Sequence, residues 1–332
     1  MKILIAGFGS IGRRHFRNLL ALGEKDIVFY RSGRSTLDED EIRGYAVETD
    51  LEKALAHRPQ AVVVATPTAR HLEIALPAAR AGCAILLEKP VSHSLEGVEA
   101  LREAAQKSGS RILVGFQFRF HPGLQKIAAL LQSGAVGRPL SARAHWGEYL
   151  PDWHPWEDYR QSYAARSDLG GGVTLTLCHP LDYIHWLFGK VDSLSAYAGH
   201  FSDLEVQVED TAEISLRFQS QALGSIHLNY YQRPPVHTLE IAGSLGSIRW
   251  DNADGNVRLY RAEAASPGWE TFLVPEGFER NWLFLDEMRH FIAVAKGQAQ
   301  PLCSLEDGIY ALKLALAASQ SAQEMSAQRI TG

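Results

Sequence analysis

The chain opens on Lys2-Ile3-Leu4-Ile5-Ala6, then Gly7-Phe8-Gly9-Ser10-Ile11-Gly12, then a helix-like stretch from Arg13 to Leu22. An apolar run, a G-x-G-x-x-G turn and a helix in immediate succession fix how such a segment can fold. The first glycine permits the tight turn, the second lets a pyrophosphate approach the backbone, and the third lets helix and strand pack closely. The helix N-terminus then offers N–H groups and a positive dipole end to phosphate. The spacing therefore predicts a dinucleotide site formed by Gly7, Phe8, Gly9, Ser10, Ile11 and Gly12.

The alternation of strand and helix continues. Residues 27–30, 61–65, 84–87 and 111–115 read as strands, and 71–81 and 95–108 as helices. Such a chain makes a parallel sheet covered on both faces, with ligands bound outside the carboxyl ends of its strands. Thr66-Pro67-Thr68 and Glu88-Lys89-Pro90 fall at such ends. The residues after the second strand, Tyr30-Arg31-Ser32-Gly33-Arg34, include no acid to bind a ribose 2′-hydroxyl. Arg31 and Ser32 suit a 2′-phosphate instead, so NADP(H) is favoured and NAD(H) is the alternative.

Beyond residue 122 the pattern changes. A helix over 124–133 leads into alternating apolar and polar runs at 140–148, 193–197, 211–218, 223–231, 238–242 and 247–250. These predict a largely antiparallel sheet. A closing helix is expected over 304–318, with Ser304 as its cap and Asp307 in its first turn. The fold expected is α/β: a doubly wound parallel sheet over residues 1–121, then a domain with a large, mainly antiparallel sheet over 122–332, whose C-terminal helix can pack back on the first.

Between two of these strands lies a proline-broken loop from Tyr149 to Arg160. Trp153, Trp156, Tyr159 and Tyr163 present flat faces, while Asp158, Arg160 and Arg166 present polar ends. The mixture suits a sugar-binding lid, or else aromatic packing beneath a long loop. Arg119 with these arginines points to an anionic substrate. Cys178, His179 and His185 have poor spacing for zinc, and no metal is expected.

Other classes are disfavoured by bulk properties. The net charge of −5 among 332 residues supplies no basic excess for nucleic acid. No apolar run approaches the ~18 residues of a membrane span. The N-terminus lacks a signal-peptide layout and the three cysteines are widely spaced, so a cytoplasmic protein with reduced thiols is expected.

At Glu88-Lys89-Pro90 the chain resembles the Gfo/Idh/MocA oxidoreductases, which act mostly on sugars and cyclitols. The resemblance spans nearly the whole sequence. It runs through Gly7–Gly12, Thr66-Pro67-Thr68 with His71, residues 115–122 with Gln117, Gly170-Gly171-Gly172, and His179-Pro180-Leu181-Asp182. It continues in Glu209-Asp210-Thr211-Ala212 and in residues 243–247. It implies that Lys89 lies beside the nicotinamide and the reacting hydroxyl, that residues 122–332 form an α+β substrate domain, and that its open sheet face joins copies into a homodimer or homotetramer. It also implies an acid four or three residues before His179, where this chain has Leu175 and Thr176.

Read from the residues, Pro180 starts a helix with His179 as its N-cap. The helix N-terminus then keeps the imidazole neutral. His179 is expected to position or protonate the substrate, with Thr176 orienting its ring. The expected activity is hydride transfer between nicotinamide and a sugar, cyclitol or sugar derivative. A non-catalytic NADP-binding protein and an NAD-dependent glycosidase are the alternatives, distinguished by net consumption of coenzyme.

Overall fold

The computed structural model describes residues 1–31, 40–262 and 268–330. The chain forms two compact units. The first comprises Met1–Gln117, Asp168–Gly170 and Glu279–Ile309, and the second Phe118–Ser167, Gly171–Phe278 and Tyr310–Gly332. The boundary expected after residue 121 lies close to this division after Gln117, and Glu279–Ile309 returns to the first unit.

The first unit is built on six parallel strands: β1 (Ile3–Ala6), β2 (Ile27–Tyr30), β3 (Ala46–Glu48), β4 (Ala61–Val64), β5 (Ala84–Glu88) and β6 (Ile112–Gly115). Their order is β3-β2-β1-β4-β5-β6. Every residue of β1, β4, β5 and β6 is buried, because helices cover both faces. These helices include α1 (Ser10–Ala21), α2 (Leu51–Ala56), α3 (His71–Arg80) and α4 (Val98–Ser108). Asp50 caps α2 by accepting from the Lys53 N–H at 2.9 Å. The fourth helix starts later than the pattern suggests, since Gly97 before it takes φ +76°. The short β3 and α2 were not foreseen: three residues on a sheet edge carry too little periodicity. The strand order reverses between β2 and β4 around β1, so the loops after β1 and β4 adjoin at the switch point.

The second unit begins with α5 (Pro122–Gln132) and carries a nine-stranded sheet. Its strands are β7 (Pro139–Tyr149), β8 (Val191–Gly199), β9 (Thr211–Phe218), β10 (Leu223–Asn229), β11 (Tyr231–Gly243), β12 (Gly246–Asp251), β13 (Val257–Arg261), β14 (Trp269–Phe272) and β15 (Gln328–Arg329). Their order is β14-β13-β12-β11-β7-β10-β9-β8-β15. All neighbours are antiparallel except β7 and β10. Along β9, Ala212, Ile214, Leu216 and Phe218 are buried while Glu213, Ser215 and Arg217 face out. That alternation is the signature of a sheet covered on one side. The covering layer includes α5 and α7 (His179–Phe188), which follows the single turn α6 (Val173–Thr176).

The chain then adds α8 (Arg280–Ala295) to the first unit, where it packs on α1, β5 and β6. The last helix, α9 (Leu305–Glu324), opens with the Ser304 hydroxyl accepting from the Asp307 N–H at 3.2 Å. The Asp307 carboxylate accepts in return from the Ser304 N–H at 2.8 Å. Ser304 and Asp307 thus start the helix as their sequence order predicts. Among the described residues no helix is long and apolar enough to cross a membrane.

His121 caps α5 through its ring: Nδ1 accepts from the Gly123 N–H at 2.9 Å. The ring is 1% exposed and meets Trp250 edge-on at 5.1 Å. Burial pushes its pKa down to about 4. The unfolded chain therefore takes up a proton near pH 6.5 that the folded chain refuses until about pH 4. Stability is unaffected above pH 6.5 and is lost as pH falls through this window. Replacing His121 with Asn keeps a capping acceptor and removes the titration. Urea unfolding should show wild type losing about 2 kcal/mol more than His121→Asn between pH 7.5 and 5; equal losses would remove His121 as the cause.

Candidate functional site

In the first unit the glycines of the opening turn have distinct surroundings. Gly7 takes φ +95°, and a Cβ there would lie 2.5 Å from the Ala65 carbonyl oxygen just after β4. A Cβ on Gly12 would lie 2.2 Å from the Gly7 oxygen. Gly9 is the N-cap of α1, and a Cβ on it would meet nothing within 4 Å. The turn is thus closed behind and open in front, the shape a pyrophosphate needs at a helix N-terminus. The Phe8 side chain faces the core, edge-on to Phe29 at 5.1 Å and Phe16 at 5.9 Å. Of Phe8, only the backbone borders the turn.

The other strand ends line up with this turn. Arg31 follows β2, is 6% exposed, and its N–H donates to the Glu48 carbonyl at 3.0 Å. Ser32 lies outside the described residues. Thr66, Pro67 and Thr68 follow β4, with Thr68 buried. His71 joins two loops: Nε2 lies 3.0 Å from the Thr66 oxygen and Nδ1 2.8 Å from the Pro90 oxygen. The ring is 1% exposed, so it ties the loops together from behind rather than facing a ligand. Gln117 follows β6 and is buried.

Lys89 is half-buried at the end of β5, and its bond to Pro90 is cis. Glu88 beside it turns inward, with Oε1 2.7 Å from His15 Nε2 and Oε2 accepting from the Lys89 N–H at 3.3 Å. A Cβ on Gly115 of β6 would stand 3.2 Å from this carboxylate. Burial pushes the Glu88 carboxyl up, but the His15 hydrogen bond and the charges of His15, Lys89 and His71 outweigh it. Its pKa lies below the ordinary carboxylate value. Glu88 therefore acts from beneath Lys89, and its side chain does not face a coenzyme.

In the second unit His179 is the first residue of α7, and Cys178, not His179, is its N-cap. Pro180 sits one position deeper than expected, which the first turn tolerates because its N–H groups lack intrahelical partners. Gly189 ends the helix at φ +83° as predicted. The His179 ring is 1% exposed, edge-on to Phe118 at 5.0 Å and tilted on Trp146 at 5.3 Å. Thr176, expected to orient that ring, is 2% exposed at the end of the single turn α6.

Of the other expected substrate residues, Arg119 is 2% exposed. It gives Asp182 two Nε contacts at 3.0 and 3.1 Å and one Nη2 contact at 2.7 Å. Its guanidinium also lies 5.7 Å from the Trp186 ring centroid. This is a core ion pair, so the anionic substrate inferred from Arg119 loses that support. Arg160 is exposed and bound to Asp158 and Glu205. Trp153 packs edge-on to Tyr230 at 5.7 Å, Tyr163 is half-buried, and Trp156 is 62% exposed. The aromatic loop therefore splits between packing under Trp153 and display at Trp156.

Two groups escaped the sequence reading. Glu209 approaches the glycine triplet: its carboxylate accepts from the Thr174 N–H at 3.2 Å, and its carbonyl from the Val173 N–H at 3.0 Å. Burial raises its pKa. A Cβ on Gly172, at φ +105°, would stand 2.5 Å from both Glu209 carboxylate oxygens. Glu287 of α8 lies wholly buried near His15 and Glu88. Its signal was an acid among Leu283, Phe284, Met288 and Phe291, all on the buried face of α8. Among the described residues these three are the one group spaced to share an ion; Cys178, His179 and His185 form none.

Comparison with known proteins covers both units. Residues 1–116 match the oxidoreductase family with an NAD-binding Rossmann fold, and residues 124–249 match the GFO/IDH/MocA C-terminal domain. The chain is 29% identical to myo-inositol 2-dehydrogenase of Thermotoga maritima, over 98% of this chain and 97% of that protein. It is 30% identical to an uncharacterized oxidoreductase of Synechocystis, over 83% of this chain and 80% of that one. A levoglucosan dehydrogenase solved with NADH and levoglucosan shares the fold at a TM-score of 0.89, with 22% identity and 100% of each chain covered.

The glycine geometry yields a paired test. Gly9→Ala meets no protein atom and keeps an allowed backbone, so stability should hold or rise by about 0.4–1 kcal/mol. Its methyl occupies the open side of the turn, so coenzyme affinity should fall at least tenfold. Gly12→Ala strikes backbone and should cost about 1–3 kcal/mol of stability. Thermal unfolding with coenzyme titration by fluorescence checks both; full affinity in Gly9→Ala would place the pyrophosphate elsewhere.

Proposed function

This chain belongs to the GFO/IDH/MocA oxidoreductase family, and on that premise we propose how its own residues oxidise or reduce a sugar-type alcohol. It is a nicotinamide-dependent dehydrogenase or reductase acting on CH–OH groups. The substrate class is a sugar, cyclitol or sugar derivative, in keeping with relatives named for myo-inositol, D-apiose and levoglucosan. The observation that carries the reading is the retained Lys89, half-buried at the carboxyl end of β5 beside the buried anion of Glu88.

The turn from Gly7 to Gly12 fits the coenzyme pyrophosphate, for the open face at Gly9 is the cradle such a group fills. When bound, the nicotinamide accepts or gives the hydride at the reacting carbon. In the oxidation direction the substrate C–H leaves with its electron pair as hydride, and the hydroxyl proton passes to the Lys89 amine. Lys89 then returns that proton to solvent, and reduction runs the same steps backwards. His179 is read as positioning a substrate hydroxyl. The coenzyme favoured is NADP(H), with Arg31 and Ser32 for the 2′-phosphate, because no acid follows Tyr30 until residue 38. A homodimer or homotetramer through the open sheet face and a cytoplasmic location complete the reading. That face exposes Tyr197 and Leu223.

The test is coenzyme turnover against a panel of sugars and cyclitols that includes myo-inositol, D-apiose and levoglucosan, with net reduction of added NADP⁺ or NAD⁺ expected. Lys89→Ala should lower kcat by about 10²–10⁴-fold with coenzyme binding retained. His179→Ala should lower kcat/KM by about 10–10³-fold. A Lys89→Ala enzyme turning over at the wild-type rate would falsify the assignment.

Arg31→Ala separates the coenzymes. Losing a charge-assisted contact to phosphate should weaken NADP(H) by about 1.5–3 kcal/mol more than NAD(H). Isothermal titration of both coenzymes measures the difference, and equal losses would return the choice to NAD(H).

A further inference from the structure

Within the first unit, three buried side chains able to ligate a metal meet beneath the Glu88-Lys89-Pro90 turn. His15 comes from α1, Glu88 from β5 and Glu287 from α8. Their relative exposures are 0%, 7% and 0%. A ring nitrogen of His15 and one carboxylate oxygen from each glutamate lie within 4.8 Å of one another.

The atoms of this group that lack hydrogen-bond partners share one character. Glu88 accepts at both oxygens, Oε1 lying 2.7 Å from His15 Nε2 and Oε2 3.3 Å from the Lys89 nitrogen. A carboxylate only accepts, so Nε2 donates and the ring's lone pair sits on Nδ1. Nδ1 reaches no partner, and neither does either oxygen of Glu287. All three are electron-pair donors sealed from water, a costly arrangement if nothing compensates it. The charge that acts on Glu287 is the like charge of Glu88. A proton on Glu287 would remove one charge, but its O–H would then need an acceptor that neither oxygen has in reach. A cation satisfies the lone pairs and neutralises both carboxylates at once.

The donor set identifies the ion. One imidazole nitrogen and two carboxylates, with no sulfur, suit a first-row divalent cation, and zinc takes such ligands at about 2.0–2.2 Å. Ligand atoms on one such ion stand roughly 3–4 Å apart. A trio already within 4.8 Å therefore closes on it by small side-chain rotations.

We propose that His15, Glu88 and Glu287 form a structural divalent-cation site, filled by Zn²⁺. The ion pins α1, β5 and α8 at one point under Lys89. Its ligands stand at residues 15, 88 and 287, so the site exists only in the folded chain and binding stabilises the fold.

The experiment uses the untagged full chain, stripped with a chelator and reloaded with Zn²⁺. After gel filtration, elemental analysis should find about one zinc per chain, bound with Kd below about 1 μM. The melting temperature should rise with Zn²⁺ concentration. X-ray absorption of the loaded protein should show one imidazole with oxygen ligands and no sulfur. Glu287→Gln keeps the side-chain shape and should weaken Zn²⁺ at least about 100-fold. Asp286→Asn, exposed beside it on α8 and paired with Arg289, should leave the affinity unchanged.

Failure of the stripped protein to take up Zn²⁺ overturns the proposal. Full affinity in Glu287→Gln does so too, as does a sulfur ligand, which would move the ion to a cysteine. Uptake, melting and absorption are read on wild type, so they decide the matter even if Glu287→Gln does not fold. None of them involves turnover, so failure of the Lys89 reading would leave this test intact.

Discussion

The approach of the Gly7 turn to Ala65 is the constraint on which the first unit depends. A side chain at Gly7 would stand 2.5 Å from a carbonyl oxygen, so the loops after β1 and β4 touch through backbone alone. That contact can form only at the switch point, where neighbouring strands send their helices to opposite faces. It fixes α1 against the sheet through Gly12, and α1 in turn delivers His15 to Glu88 at the end of β5. The position of Lys89 thus traces back through one buried hydrogen bond to the first glycine of the chain.

The second unit solves a different problem. Its sheet has one covered face, and the residues beneath it include polar rings that need partners. Phe118 lies at the centre, with His237 at 4.7 Å, His179 at 5.0 Å and Trp146 at 5.6 Å between ring centroids. Trp146 stacks flat on His237 at 4.3 Å, and the Tyr183 hydroxyl lies 3.3 Å from His237 Nε2. Aromatic packing of this kind orients a histidine by shape, where a carboxylate would do so by charge. His179 is held in the same way, by Phe118 and Trp146.

The first unit was legible in the sequence because its strands are buried on both faces and its glycine spacing has one structural solution. Antiparallel strands of the second unit were legible where inward and outward residues alternate, as at 211–218. The parallel pairing of β7 with β10 was not, for register between distant strands leaves no local trace. Site residues divided similarly. Lys89, Gly9 and His179 announce themselves by position in motifs. Arg119 misled because a lone arginine gives no sign that Asp182 lies opposite, sixty-three residues on. Glu209 and Glu287 show only as acids among apolar neighbours, and their partners come from elements distant in sequence.

Leu175 and Thr176 stand at the two positions where the resemblance implies an acid, and the surroundings explain why a hydroxyl is comfortable at the second. Tyr230 is fully buried and burial raises its pKa far above the usual value, so its hydroxyl stays protonated and needs a neutral partner. The Ala164 carbonyl accepts from it at 3.4 Å. Glu209 already acts electrostatically on the same hydroxyl. A second carboxylate at residue 176 would enter a site that is 2% exposed and already influenced by an acid. Burial and like charge both oppose its ionisation. Glu209, anchored by the Thr174 N–H, is therefore the carboxyl group of this region, and the helix-side position is left to a side chain without charge.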